Sequence, residues 1–288
     1  MFKYFLYKLG QFIVNGLPLQ SSYAFAQFFS DMQCYLSPRD RQAVRNNLKI
    51  ITGKKDGLEY EVREVFRNFG RYLVEFFRMK RNLSKEYIQK NIEIKNLGVI
   101  EEVLKKGRGG IVISAHMGNW ELGAMILPVL GYPILAVALP HKDRWVNNLF
   151  NAQRVFFGVT VVPPSTAIRR CLETLKENRL IGLVADRDFT NHGIEVEFLK
   201  RRAIIPKGPA IFSIKTGAPV VPCFLLRKID GSFLLELGNP IYPPEIGSVE
   251  QIDDRTLISF IRKYLATIEQ KIYAFPTQWL MFREFGVK

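Results

Sequence analysis

A histidine and a glutamate five residues apart, His116 and Glu121, stand in the stretch GGIVISAHMGNWELGAMIL (Gly109 to Leu127), where an apolar run with strand character gives way to a helical pattern. On a single α-helix, residues at that spacing lie about 140° apart around the axis and share no face. They meet only across a turn. With a strand ending at Ala115 and Asn119 as N-cap, Glu121 falls in the first helical turn, and its carboxylate is expected to reach back to the imidazole, with Gly118 supplying the turn. A carboxylate bonded to one ring nitrogen fixes the tautomer and raises the basicity of the other, which makes His116 a candidate general base. The helix N-terminus aims backbone N–H groups into the same place, where they stabilise a developing oxyanion. The same letters also fit a histidine that merely ends a strand, with Glu121 in the position a helix favours for negative charge.

Other chemistries find less support. Ser114 and Ser165 sit in no Gly-x-Ser-x-Gly elbow, and KGRGG precedes a strand instead of opening a helix, so it is no phosphate loop. Cys34, Cys171 and Cys223 are far apart without a Cys-x-x-Cys pair, which argues against a zinc ribbon and a disulfide framework and fits a reducing compartment. Only three histidines occur, with no His-Glu-x-x-His, so no metal is expected; His141 and His192 show no partner pattern. The net charge of +14 calls for an anionic partner, a phosphate-bearing polymer, a membrane surface or an acidic protein, and charge alone does not choose among them; no recognised nucleic-acid-binding motif accompanies it.

The elements that must position His116 read as α/β. From about Lys95, apolar runs at Gly110 to Ala115, Ile134 to Leu139, Leu180 to Ala185, Ala218 to Leu226 and Phe233 to Leu237 read as strands. Helical patterns at Trp120 to Leu130, Arg144 to Phe157, Thr166 to Asn178 and Gly208 to Thr216 alternate with them, and a last helix is expected near Ser248 to Tyr273. Such alternation predicts a mostly parallel central sheet flanked by helices, with ligands gathering at the carboxyl ends of the strands. Asp186, Arg187 and Asp188 follow directly on one such strand.

Upstream, residues 37–94 form a basic helical lead-in, with SPRD as a helix start, a second helix near Leu58 to Met79, and 14 Lys and Arg against 7 Asp and Glu between Ser37 and Lys90. Residues 1–36 are expected to be an N-terminal helical membrane-associating region, and 95–288 the catalytic core. Leu9 to Ser30 carries no charge, but Gln11, Asn15, Gly16, Pro18, Gln20, Ser21 and Ser22 break its apolar run, which favours an interfacial helix over a membrane span. Phe2, Phe5, Leu6, Leu9, Phe12 and Ile13 would form its apolar face, unless that stripe packs on the protein's own core. Ala24-Phe25-Ala26 offers a signal-peptide site, though the apolar region before it is interrupted.

HMGNWELG resembles the His-x4-Glu/Asp block of glycolipid acyltransferases, the late acyltransferases of lipid A biosynthesis and the related phosphatidylinositol mannoside acyltransferases. RDRQAVRNNLKI with VFRNFGRYLVEFFRM, NNLFNAQRVFFG, VADRDF and KGPAIFSIKTGAPVVPCFLLR are similar to further blocks of that family, in its order and across most of the chain. Many members read Phe-Phe-Gly where this chain has Phe198-Leu199-Lys200 followed by Arg201 and Arg202; read alone, Lys200 to Arg202 is a solvated loop.

The resemblance implies transfer of a fatty acyl group from a thioester, on acyl-carrier protein or acyl-coenzyme A, to a hydroxyl of a membrane glycolipid such as a lipid A precursor. It implies His116 as base oriented by Glu121, with Arg154, Asp186 and Asp188 shaping the site or holding an oxyanion or phosphate. Gly118, Asn119, Trp120, Arg187, Lys207 and Gly208 are expected to bind substrate. No cofactor is called for, and the place of work would be the cytoplasmic face of the inner membrane. Two alternatives stay open: a phosphatidylinositol mannoside or glycerolipid acceptor, and a non-catalytic membrane or nucleic-acid binder on the same fold.

Overall fold

β-Branched residues with apolar neighbours on both sides make central strands, and helices with one apolar face cover them. The computed structural model describes residues 1–188, 192–245 and 253–286, without the side chain of Phe2. Five helices come first: α1 (Phe2–Gly16), α2 (Leu19–Leu36), α3 (Pro38–Thr52), α4 (Glu59–Asn82) and α5 (Lys85–Asn91). Then follow β1 (Ile92–Lys95), α6 (Gly98–Lys105), β2 (Gly110–Ser114), α7 (Trp120–Val129), β3 (Ile134–Val137), α8 (Arg144–Phe156), β4 (Thr160–Val162), α9 (Pro164–Lys176) and β5 (Leu180–Val184). The chain ends with β6 (Ile194–Phe198), β7 (Arg201–Ile205), α10 (Gly208–Thr216), β8 (Val220–Arg227), β9 (Phe233–Leu237), α11 (Asp254–Ala274) and a 3-10 turn at Pro276–Gln278. The expected helix start at Ser248 lies outside the described residues, as does Phe189 of the VADRDF block.

Seven strands form one sheet in the order β1-β9-β8-β2-β5-β3-β4, parallel throughout except between β8 and β9. β2 lies at its centre, buried along Gly110 to Ile113 and paired with β5 and β8. One face is covered by α4, α6, α7 and α8 through residues such as Phe76, Ile100, Leu122 and Phe150. The other is covered by α9, α10 and α11, with Cys171, Phe212 and Phe260 in its core. Along α11, Leu257, Phe260, Ile261, Tyr264, Leu265, Ile268 and Ile272 are buried. At about 1.5–3 kcal/mol for each large side chain, that face alone rivals the net stability of a typical domain, so α11 is an integral wall of the fold.

The separate β6–β7 hairpin corrects the loop reading of Lys200 to Arg202. Leu199 and Lys200 take positive φ, 51° and 60°, in its tight turn, while Arg201 and Arg202 begin β7. A glycine adopts that backbone without strain. Here the burial of Phe198 and Leu199 holds the turn instead.

The uncharged stretch Leu9 to Ser30 is broken by Leu17 and Pro18 into α1 and α2, and no described helix is long and apolar enough to cross a membrane. Of the expected stripe, Phe5, Leu6, Leu9 and Phe12 are exposed and Ile13 is half-buried. The face that docks on the protein is a different one: Tyr7 packs on Phe77 and Phe150, and Val14 is buried.

Candidate active site

The register of the central strands builds the site. Ser114, the last residue of β2, pairs with Val184, the last of β5. Two residues beyond the end of each strand, His116 and Asp186 meet. His116 Nδ1 lies 2.7 Å from Asp186 Oδ1, and the His116 backbone N–H donates to Oδ2 at 3.1 Å. Trp279, just beyond the 3-10 turn, donates its indole N–H to the same Oδ2 at 2.9 Å. Burial would raise the Asp186 carboxyl, but the charge of His116 and these hydrogen bonds outweigh it, so Asp186 titrates below the ordinary carboxylate range.

The turn after His116 leaves no room for a side chain at Gly118, whose φ is +57° and where a Cβ would stand 2.0 Å from the Leu225 carbonyl oxygen. Asn119 then caps α7, its Oδ1 accepting from the Leu122 N–H at 3.0 Å. Glu121 falls in the first turn, but its partner corrects the expectation. Arg154 of α8 grips both carboxylate oxygens, Nε to Oε2 at 2.9 Å and Nη2 to Oε1 at 2.5 Å, so the carboxylate on the imidazole Nδ1 is Asp186, not Glu121. Burial pushes the Arg154 guanidinium toward losing its proton, but Glu121 overcomes this and holds it above its ordinary value. Trp120 stacks on Tyr72 at 4.6 Å between centroids and meets the His116 ring edge-on at 5.2 Å.

A cavity of about 780 Å³ opens at these strand ends and reaches down both faces of the sheet. His116, Trp120, Glu121, Arg154, Arg187, Asp188, Lys207 and Gly208 line it, and its depths are apolar, with Val112, Leu127, Ile134 and Leu225. Asp186 and Asn119 are buried behind the wall, and Gly118, half-buried, is not part of its lining; Gly118 makes the turn and Asn119 the cap. Asp188 accepts from the Gly193 N–H at 3.2 Å. Arg187 points Nη1 at the Met281 sulfur, 3.6 Å away, and burial holds its guanidinium below its ordinary value. His141 and His192 also line the cavity, so it gathers all three histidines of the chain. Neither carried a sequence signal, nor did Trp279, whose part depends on a long-range fold. Among the described residues, no group of three or more His, Cys, Asp or Glu is placed to hold a metal ion.

The family described as bacterial lipid A biosynthesis acyltransferase matches residues 1–285. The chain belongs to this family. It is 32% identical over 224 residues to a phosphatidylinositol mannoside acyltransferase of Mycobacterium tuberculosis, covering 75% of this chain and 67% of that protein. The corresponding Mycolicibacterium smegmatis protein is 28% identical over 208 residues, 70% of this chain and 66% of that one. Lipid A biosynthesis acyltransferase 2 of Shigella flexneri is 21% identical over 253 residues, 85% of this chain and 77% of that one. The chain thus spans about two thirds of the length of the mycobacterial relatives. The family match runs from the N-terminal helices through Trp279, so every element that builds the site falls within it.

Proposed function

We propose that the protein is an acyltransferase that moves a fatty acyl group from a thioester, carried by acyl-carrier protein or coenzyme A, to a hydroxyl of a membrane glycolipid. The observation that carries this reading is the imidazole of His116, held at Nδ1 by a buried aspartate, on the wall of a largely apolar cavity. With the proton on Nδ1, the lone pair of Nε2 accepts the proton of the acceptor hydroxyl as its oxygen attacks the thioester carbonyl. The tetrahedral intermediate collapses by breaking the C–S bond, and the imidazolium returns the proton to the departing sulfur. Such a base contributes roughly 10²- to 10⁴-fold.

Charge develops on the carbonyl oxygen, and two features of the wall suit it: the Arg154 guanidinium, and the backbone N–H groups of Trp120 and Glu121 at the start of α7, ahead of the Leu122 N–H that Asn119 caps. Glu121 acts by holding Arg154 in place. Arg187 and Lys207 add positive charge for a phosphate of donor or acceptor. Among acceptors, a lipid A precursor follows from the family, while the higher identity to the mycobacterial proteins favours a mannosylated phosphoinositide as second reading.

The exposed apolar residues of α1 and α2, including Phe5, Leu9, Phe12, Phe28 and Tyr35, suit the surface of an anionic bilayer, as does the +14 charge. We place the protein on the cytoplasmic face of the inner membrane. The test is thiol release and product mass spectrometry with purified protein, a series of acyl-carrier and acyl-coenzyme A donors, and both classes of acceptor. Acylated glycolipid is expected from wild type; thiol release without any acylated lipid would reduce the reading to a thioesterase.

A further inference from the structure

Behind the cavity wall, three donors converge on one carboxylate. Glu75 of α4, only 7% exposed, accepts from Asn119 Nδ2 at 2.7 Å, from the Tyr23 hydroxyl of α2 at 2.9 Å, and from the guanidinium of Arg227 at the end of β8. A carboxylate is the side chain that takes all three, because it only accepts. Asn119 is oriented by this demand. Its amide NH₂ goes to Glu75, which leaves its oxygen for the Leu122 N–H and so caps α7.

The other supports of that turn lead back to the same group. The Asn119 N–H donates to the Leu225 carbonyl at 3.0 Å, and the Gly118 N–H to the Gln278 carbonyl at 2.9 Å. Gln278 in turn brackets the backbone of Arg227, accepting from its N–H at 2.9 Å and donating to its carbonyl at 2.8 Å. Glu75, Asn119 and Arg227 do not line the cavity, whereas Trp120 and Glu121, the next two residues of the chain after Asn119, do.

We infer that Glu75 is a positioning residue for the transfer reaction. It fixes the orientation of Asn119, hence the direction in which the first turn of α7 presents Glu121 and its backbone N–H groups to the cavity. Through Tyr23 it also makes α2, a helix with exposed apolar residues such as Phe28 and Tyr35, a structural part of the site. This assignment rests on the acyl-transfer reading above.

The test moves the negative charge one residue across the contact. In Glu75→Gln an amide replaces the acceptor and one donor faces another; in Asn119→Asp two carboxylates face each other. When the two substitutions are combined, the amide introduced on α4 donates to the carboxylate introduced at the cap. That carboxylate still accepts from the Leu122 N–H, and the cluster keeps its single negative charge. Each single variant is expected to lower kcat by about 10²-fold with KM for the thioester unchanged, the cost of a misplaced catalytic group. The double variant should recover to within about tenfold of wild type, as coupled neighbours do. Exchange protection of the Leu122 amide should fall and return in the same pattern, with circular dichroism confirming that all three fold.

Folded single variants with wild-type kcat, or a double variant no better than the singles, would overturn the inference. If His116→Ala is silent in the same assays, the acyl-transfer reading survives that failure. Should wild type itself turn over no thioester, that reading fails instead, and amide protection then decides the positioning role: singles as protected as wild type would refute it.

Discussion

Two buried carboxylates flank the reacting end of the cavity, and their partners divide the labour between them. Asp186 faces an imidazole, whose two ring nitrogens can each carry or accept a proton; Glu121 faces a guanidinium, which keeps its charge. The first pair forms where two parallel strands end in register, the second between helices α7 and α8. A carboxylate beside a titratable ring governs where the proton sits. One beside arginine governs where a fixed positive charge sits. On the proposed acyl-transfer reading the site separates proton transfer from charge stabilisation, and each can be broken alone.

The largest effect is expected on the proton side. His116→Ala should lower kcat by roughly 10²- to 10⁴-fold, the usual worth of a positioned base, while the apolar cavity still binds an acyl chain. Thiol release measured beside binding of a fluorescent fatty acid separates these effects; loss of both together would mean that the variant collapsed the cavity. Asp186→Asn should come next, about 10²-fold or more, since the amide no longer enforces the Nδ1–H tautomer. Activity close to wild type in Asp186→Asn would return the orienting role to Glu121.

On the charge side, the comparison sharpens through stability. The side chains of Glu121 and Arg154 are 9% and 11% exposed, so removing either leaves an uncompensated buried charge at a cost of about 3–5 kcal/mol. Glu121→Ala and Arg154→Ala should both lower the melting temperature and reduce kcat by about 10²-fold. Glu121→Leu combined with Arg154→Met should restore the melting temperature without restoring turnover. Turnover that returns with stability would show the pair to be structural only.

What the sequence made legible follows the range of the forces involved. The apolar runs of β2, β5 and β8 and the cap at Asn119 are local signals, and each element lies within a few residues of its expected place. The site itself is legible as a strand end meeting a helix start. Its inner pairing is not. Glu121 is five residues from His116 and Asp186 is seventy, and the letters point to the nearer carboxylate because nothing in them shows how β2 registers against β5. The short edge strand β1, read only as Ile-Glu-Ile-Lys, and the hairpin strand β7 beginning Arg-Arg, lack the continuous apolar run that marks the central strands. On α1 the stripe is visible, but Tyr4 and Tyr7, the aromatics packed against the core, are not part of it.

A smaller effect concerns that exposed stripe. Leu9 and Phe12 are 56% and 79% exposed, so Leu9→Asp with Phe12→Asp should leave the fold intact while binding to anionic vesicles falls about tenfold or more. Residual binding should weaken further with salt, because it rests on charge. Vesicle flotation that does not distinguish the variant from wild type would remove the membrane role from α1.

The smallest effect expected is at His141, on the cavity rim with its ring 4.6 Å from that of Phe150. Partial burial and then the positive charge of Arg154 push its imidazole below the ordinary value of 6.5, against a weaker pull upward from Glu121. The unfolded chain therefore takes up a proton at a pH where the folded protein stays neutral. Stability drawn from this residue is present above about pH 6.5 and is lost as pH falls toward the lowered folded value. His141→Gln should thus gain on wild type in melting temperature between about pH 7 and pH 5, with the two nearly equal at the upper end. The gain should vanish in an Arg154→Met, Glu121→Leu background if the charge of Arg154 is its cause, and persist there if burial against Phe150 suffices.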